Sequence, residues 1–233
     1  MKIDIWSDIM CPFCYIGKRR LEQALNIFEH KDQVEIIWHS FQLDPEMTAQ
    51  PGKTIHQYLA ERKGMSLERS VQLHQQMTEN ALAEGLVYNF DKAIIANSFD
   101  AHRLIHLAAK HGLGSAAKEA LLKAYFTDGK NISDHNVLMQ IGIEIGLRVL
   151  EIGEMLNSDL CADEVRADIE TAENHGINGV PYFVFDNMYA IWGAQSVAIL
   201  LDGLQKAWAA SHKENNLLTS DGDICKTDGT CEI

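Results

Sequence analysis

Cys11 and Cys14 lie two residues apart in the run DIMCPFCYIGKRRLEQAL (8–25), with Pro12 and Phe13 between them. Thiols at this spacing suit three chemistries: half of a zinc site, a structural staple, or electron exchange with other thiols. Placement favours the third. The pair follows a strand-like run and opens a helix-like one. The first turn of a helix presents N–H groups without intrahelical partners and a partial positive charge. Both stabilise a thiolate and lower its pKa, and the thiolate is the species that attacks a disulfide. On this reading Cys11, at the helix tip, is exposed and nucleophilic. Cys14, one turn inward, is shielded and resolves the mixed disulfide. Pro12 suits the first helical position, where a missing N–H costs nothing. Phe13 brings no charge, so the helix terminus must supply the activation.

Other residues offer further chemistry. HGINGVPYFVF (175–185) places Val180-Pro181 at the entry of a strand. An X-Pro bond adopts the cis form at modest cost, and a proline can equally start a strand because it need not donate there. CKTDGTC (225–231) supplies a second pair, Cys225 and Cys231. It reads as a second dithiol that exchanges with the first, or as an inert pair. Cys11, Cys14, Cys225 and Cys231 also satisfy a four-thiolate zinc count. Cys161 stands alone and reads as a buried, inert thiol. His102 and His106 are one helical turn apart, but no third metal ligand accompanies them, so they read as core or groove histidines. Asp8, three residues before Cys11, reads either as an aid to proton transfer or, more simply, as a cap of the turn.

The elements that must position these residues are legible from periodicity. Residues 2–7 alternate as a short strand, 12–28 carry apolar residues at helical spacing, and 34–43 are β-branched and aromatic. That is a βαβ unit with parallel strands and a right-handed crossover. From Pro51 to about residue 171 there is no proline. The segment reads as helices over 54–62, 66–84, 91–111, 115–126, 134–146 and 159–174, punctuated by glycines. Ser133 is the expected N-cap of the helix over 134–146. Strand character returns over 181–192, with Asp186-Asn187 as a two-residue hairpin turn. A last amphipathic helix carries Ala194, Val197, Leu201, Leu204 and Trp208 on one face. From about 212 the chain turns polar and reads as a mobile tail. The expected fold is α/β. Residues 1–45 and 176–211 form one discontinuous unit, 46–175 a large all-helical insertion, and 212–233 a tail with the second cysteine pair.

Composition bounds the function. The chain has 233 residues, with 46% hydrophobic and 23% charged, ordinary values for a globular protein able to bury a core without disulfides. The formal net charge of −13 opposes nucleic-acid binding, which needs cationic side chains to displace phosphate counterions. Asp4 and Asp8 interrupt the first ten residues, so no signal-peptide core is expected. No run approaches the ~20 apolar residues of a membrane span. The expectation is a cytoplasmic protein, with no membrane or nucleic-acid partner and with its thiols kept reduced.

Five stretches together are similar to one family: SDIMCPFCYIG (7–17), FQLDPEM (41–47), NSFDAHRLIHLA (97–108), GINGVPYFVF (176–185) and WGAQ (192–195). The chain resembles the DsbA-like thioredoxin-fold oxidoreductases, and within them the FrnE-like branch, to about residue 210. The resemblance implies a thioredoxin-like fold with a helical insertion. It implies Cys11 as nucleophile, Cys14 as its partner, Pro12 and Phe13 as active-site support, a cis Pro181 beside the cysteines, and Val180 offering backbone groups to a bound peptide. It also implies that the helix over 91–111 leans over the active-site face, bringing Asn97 or His102 to the substrate. Many relatives carry tryptophan where this chain has Phe13, a departure in size rather than charge. The expected activity is thiol–disulfide exchange without a cofactor or metal. Its partners are client proteins with accessible cysteines, and glutathione or another small thiol. Two alternatives stand beside it: a glutathione-dependent isomerase or transferase on the same fold, and a thiolate zinc module. Neither the direction of the reaction nor its potential is readable from the sequence.

Overall fold

The structure is a computed structural model describing residues 1–217, with side chains through residue 212. Cys225 and Cys231, and with them residues 218–233 of the expected tail, lie outside the described residues. The first strand, β1 (Lys2–Ser7), leads into α1 (Pro12–Ile27) and then β2 (Glu35–Ser40), which pairs parallel to β1 with Ile3 opposite Ile36. Seven helices follow: α2 (Ile55–Lys63), α3 (Leu67–Ala83), α4 (Phe99–Ala109), α5 (Gly114–Phe126), α6 (His135–Glu144), α7 (Val149–Leu156) and α8 (Ala162–Asn174). The chain returns as β3 (Tyr182–Phe185), β4 (Tyr189–Trp192) and α9 (Val197–Leu217). The strand order is β2-β1-β3-β4, with β3 antiparallel to both β1 and β4.

Strand alternation sorts the residues into two faces. Ile3, Ile5, Phe183 and Phe185 are buried on one, in register as Ile3–Phe185 and Ile5–Phe183. This face packs under α1 and α9, through Leu21, Ala24, Leu200 and Leu204. Trp6, Tyr182 and Val184 point the other way. There α8 covers the sheet, and the Trp6 indole donates to the Asp168 carbonyl at 3.2 Å. The buried apolar side chains of the first face continue without a break into those of α4 and α5, including Leu104, Leu121 and Phe126.

The structure departs from the sequence reading in several places. The helix expected over 91–111 begins only at Phe99. Residues 93–98 have no regular structure, because Asn97 uses its side chain to donate to the Pro45 and Met47 carbonyls and to accept from the Phe99 N–H. The N-cap of α6 is Asp134, whose carboxylate accepts from the Asn136 N–H at 2.8 Å, while Ser133 turns to Asn131. A short helix, α7, follows Gly146. The hairpin has three residues between its paired ends, not two. Asp186 and Asn187 take φ values of 52° and 57°, and the Met188 N–H closes the turn on the Phe185 carbonyl. The last helix begins at Val197, so Ala194 precedes it, and it continues past residue 212 to Leu217.

Candidate active site

Cys11 is the N-cap of α1 and Pro12 its first helical residue. The turn entering the helix is fixed by Asp8. Its carbonyl accepts from the Cys11 N–H at 3.3 Å, and its carboxylate accepts from Met10 N–H at 3.3 Å and Leu43 N–H at 2.8 Å. Asp8 therefore caps the turn, as its position suggests, and also ties it to the loop after β2. Burial pushes the Asp8 carboxyl up, but His102, the Leu43 N–H and Ser98 outweigh it and hold the group below the ordinary carboxylate range.

The peptide bond between Val180 and Pro181 is cis. It sits against the cysteines: the Cys11 thiol donates to the Val180 carbonyl at 3.4 Å. Helix α1 approaches Pro181 closely enough that a Cβ on Gly17 would lie 2.9 Å from its ring. On the opposite side the Tyr88 hydroxyl donates to the Pro12 carbonyl at 2.7 Å.

The expected exposure of Cys11 is corrected. Cys11 is 3% exposed and Cys14 1%, both packed with Trp6, Ile177 and Val180, whereas Phe13 is 46% exposed. Access to Cys11 is through a cavity of about 740 Å³. Cys11, Pro12 and Val180 lie on one side of it, the hairpin of α2 and α3 on the other, and Phe13 and Trp192 are among its lining. Cys14 does not line it. Most of the wall is apolar, with Arg62 and Lys63 as its cations.

The two sulfurs differ in their surroundings. Cys11 is held well above the ordinary thiol range by its interaction with Cys14 and by burial. Burial pushes Cys14 up as well, but its interaction with Cys11, the positive charge of Lys118 and Ser7 outweigh it and hold Cys14 below that range. The helix terminus does not act alone, since Cys11 has lost its water and faces a carbonyl.

The remaining sequence candidates fall elsewhere. Asn97 fixes the 45–47 loop and does not line the cavity. His102 is buried behind Asp8, its Nε2 3.5 Å from Oδ1, so it reaches no substrate directly. His106 turns to Asp168 and Ser40, away from His102's partner. Cys161 is buried and free. Among the described residues no group of three or more His, Cys, Asp or Glu side chains could hold a metal. Sequence reasoning missed Gly17, Tyr88 and Lys118. Each acts across a long separation in the chain, and no local pattern marks it.

The model of the DSBA-like thioredoxin domain matches residues 2–205. The chain belongs to this family. It is thereby placed among DsbA-like thiol–disulfide oxidoreductases. Relatives at several distances agree on the architecture. A probable DsbA oxidoreductase from Streptomyces coelicolor is 37% identical, with a TM-score of 0.85 over 90% of each chain. The Bacillus subtilis protein YwbO is 28% identical over 78% of this chain and 85% of its own. The cytosolic disulfide reductase DsbM from Pseudomonas aeruginosa, solved with GSH, shares the fold at 17% identity, with a TM-score of 0.58 over 93% of this chain and 100% of its own.

Proposed function

We propose that Cys11 and Cys14 form the redox pair, that Cys11 is the sulfur that meets substrate, and that Cys14 is its resolving partner. One observation carries the reading: Cys11 lines the cavity and Cys14 lies behind it. Starting from the Cys11–Cys14 disulfide, a substrate thiolate attacks Cys11 Sγ. The S–S bond breaks and its electron pair leaves on Cys14, whose depressed pKa makes it the better leaving group. A second substrate thiolate then attacks its own sulfur in the mixed disulfide and releases Cys11. Reduction of a substrate disulfide is the same path reversed. In the mixed disulfide the Val180 backbone lies alongside the substrate chain.

The depth of Cys11 bears on the substrate. A disulfide on a flat protein surface cannot meet a sulfur that is 3% exposed. The partners are therefore small thiols such as glutathione, or client proteins that present cysteines on an extended segment. A volume of about 740 Å³ is within the range of small-molecule sites. The proposed setting is the cytoplasm, and the proposed relay to Cys225 and Cys231 rests on their C-x5-C spacing alone.

The test is equilibration of the full chain with glutathione buffers, followed by mass spectrometric location of every disulfide. The expected result is a Cys11–Cys14 bridge that forms and breaks with the poise, and a trapped mixed disulfide on Cys11 in the Cys14→Ala variant. Absence of a Cys11–Cys14 bridge at every poise overturns the proposal. Loss of bridge turnover in Cys225→Ser would support the relay, and unchanged turnover would remove it.

A further inference from the structure

Tyr88, in the segment between α3 and α4, meets the cysteine motif from 76 residues away in the chain. It is 4% exposed, and its ring stacks on Tyr15 and Phe126, with centroids 6.1 and 4.6 Å away. Its hydroxyl donates at 2.7 Å to the Pro12 carbonyl, which belongs to the peptide unit midway between the two cysteines. A peptide unit is planar and trans, so holding its carbonyl oxygen also aims its N–H in the opposite direction. That N–H is Phe13's. It is the first N–H of α1, because Pro12 has none, and among the described residues it has no acceptor. The next, of Cys14, is taken by the Cys11 carbonyl at 3.0 Å. Cys11 is the N-cap, the position whose side chain can accept from the first N–H groups. It makes no such bond as a thiol and donates to the Val180 carbonyl instead. A thiolate has no proton to donate. Cys11 then loses its bond to the carbonyl, and the free Phe13 N–H is the donor nearest to it along the chain.

We infer that Tyr88 is a positioning residue for the exchange: its hydroxyl holds the Pro12–Phe13 peptide unit so that the Phe13 N–H stabilises the Cys11 thiolate. The inference rests on the reading of Cys11 as the sulfur that meets substrate. Two effects act together. The hydroxyl fixes the direction of a peptide unit that, at a helix N-terminus, has no preceding turn to hold it. A donor on the carbonyl also polarises the unit and makes its N–H a stronger donor in turn. Burial of the ring does not by itself require this arrangement. A buried tyrosine hydroxyl needs an acceptor, but a carbonyl elsewhere in the core would serve it equally. In the exchange the Cys11 thiolate attacks one sulfur of a disulfide. A new S–S bond forms, the old one breaks, and its electron pair leaves on the other sulfur as a thiolate. Tyr88 neither gains nor loses a proton in this step. It sets how much of Cys11 is thiolate at a given pH.

The experiment uses the full chain carrying Cys14→Ala, so that Cys11 reacts once and stops. Reaction with glutathione disulfide is followed from mildly acidic to alkaline pH, and mass spectrometry reads the mixed disulfide on Cys11. Tyr88→Phe removes the hydroxyl and keeps the ring stack. The midpoint of the pH–rate profile should rise by about 0.5–1, the scale of one hydrogen bond. At neutral pH the rate should fall about two- to fourfold, because the smaller thiolate fraction is partly offset by a more basic and more nucleophilic thiolate. Above both midpoints the variant should react as fast as the parent or faster. A purely structural loosening would lower the rate at every pH and leave the midpoint in place. 3-Fluorotyrosine in place of Tyr88 keeps the shape and donates more strongly, so it should lower the midpoint. An unmoved midpoint in folded Tyr88→Phe overturns the inference and leaves Tyr88 a packing residue. Should Tyr88→Phe not fold, an unmoved or raised midpoint with 3-fluorotyrosine overturns it, and a lowered one supports it. Failure of Cys11 to form any mixed disulfide with Tyr88 intact overturns the redox-pair reading, and this inference with it.

Discussion

Gly17 shows how a residue outside the motif can control the motif. A Cβ there would sit 2.9 Å from the Pro181 ring and 3.2 Å from Phe183. Both neighbours are fixed, Phe183 because it is wholly buried on the central sheet face. Gly17→Val should therefore push α1 off β3 and cost about 2–3 kcal/mol, the range for overpacking a filled core. Gly17→Ala should cost less, since alanine's helix propensity offsets about 1 kcal/mol. Urea denaturation checks the order. A valine variant as stable as wild type would mean that the α1–Pro181 contact is slack. The same shift moves Cys11 away from the Val180 carbonyl, so exchange with glutathione should slow in parallel with the loss of stability. At this scale the sequence pointed to the proposed redox pair and to the proline beside it, because Cys-x-x-Cys and Val180-Pro181 are patterns with local signatures. It did not disclose Gly17, Tyr88 or Lys118. Each meets the site from elsewhere in the chain, and a glycine in a helix or a lysine in an amphipathic segment looks ordinary. Depth was misread for a related reason: helix position predicts charge at Cys11, but only tertiary packing reveals that Val180 and Ile177 cover it.

At the scale of elements, β1, β2 and α8 are joined by one histidine. His39 is hydrogen-bonded to Asp168 at 2.6 Å and to Asp4 at 2.7 Å, and stacks on Trp6 with ring centroids 4.4 Å apart. Asp168 also accepts from the Ser40 N–H and pairs with His106. Burial disfavours the His39 imidazolium, yet Asp168 and Asp4 outweigh it and raise the pKa. The folded state thus binds a proton more tightly than the unfolded chain. The stabilisation is fully present below the free imidazole value of about 6.5, and is lost as pH rises through the higher folded value. His39→Phe keeps the ring but strips both carboxylates of a partner. It should cost about 1–3 kcal/mol at mildly acidic pH, the cost of leaving buried acceptors unsatisfied, and less as pH rises. Denaturation curves across pH check this, and a difference that grows with pH would contradict it. These elements were legible in the sequence where one period dominated: the strands alternated, and the helices ended at glycines such as Gly64, which takes φ 62° as the C-cap of α2. Reading failed at 93–98, where helical spacing was present but Asn97 was claimed by distant carbonyls. It failed again at α7, whose eight residues are too few to announce a period.

For the whole molecule, the hairpin of α2 and α3 closes the cavity opposite Cys11, and its attachment is thin. Buried positions on α2 are Ile55 and Ala60, and on α3 Ser70, His74 and Ala81, whereas α4 and α5 bury runs of leucine, isoleucine, tyrosine and phenylalanine. Few buried apolar contacts mean a low free energy of local opening. On the proposed function, opening of this unit without unfolding the rest is the expected route of substrate to Cys11. Its pH dependence follows from His74, which burial and the neighbouring His56 lower to about 4. The two imidazoles meet Nδ1 to Nδ1 at 2.7 Å, His56 reaches Asp91 at 3.2 Å, and His74 packs on Phe90 at 4.3 Å. Here the folded state binds the proton less tightly than the unfolded chain. The stabilisation is full above about 6.5, and is lost progressively as pH falls towards about 4. Two charged imidazoles at that distance would repel, and the contact between α2 and α3 would part. Hydrogen exchange of peptides within 55–83, corrected for intrinsic rates, should accelerate over that interval while peptides from α4 and α5 do not change. His74→Leu should remove the acceleration, and glutathione bound in the cavity should slow it. Equal acceleration in hairpin and core would show global destabilisation instead, and persistence of the pH response in His74→Leu would place the sensor elsewhere.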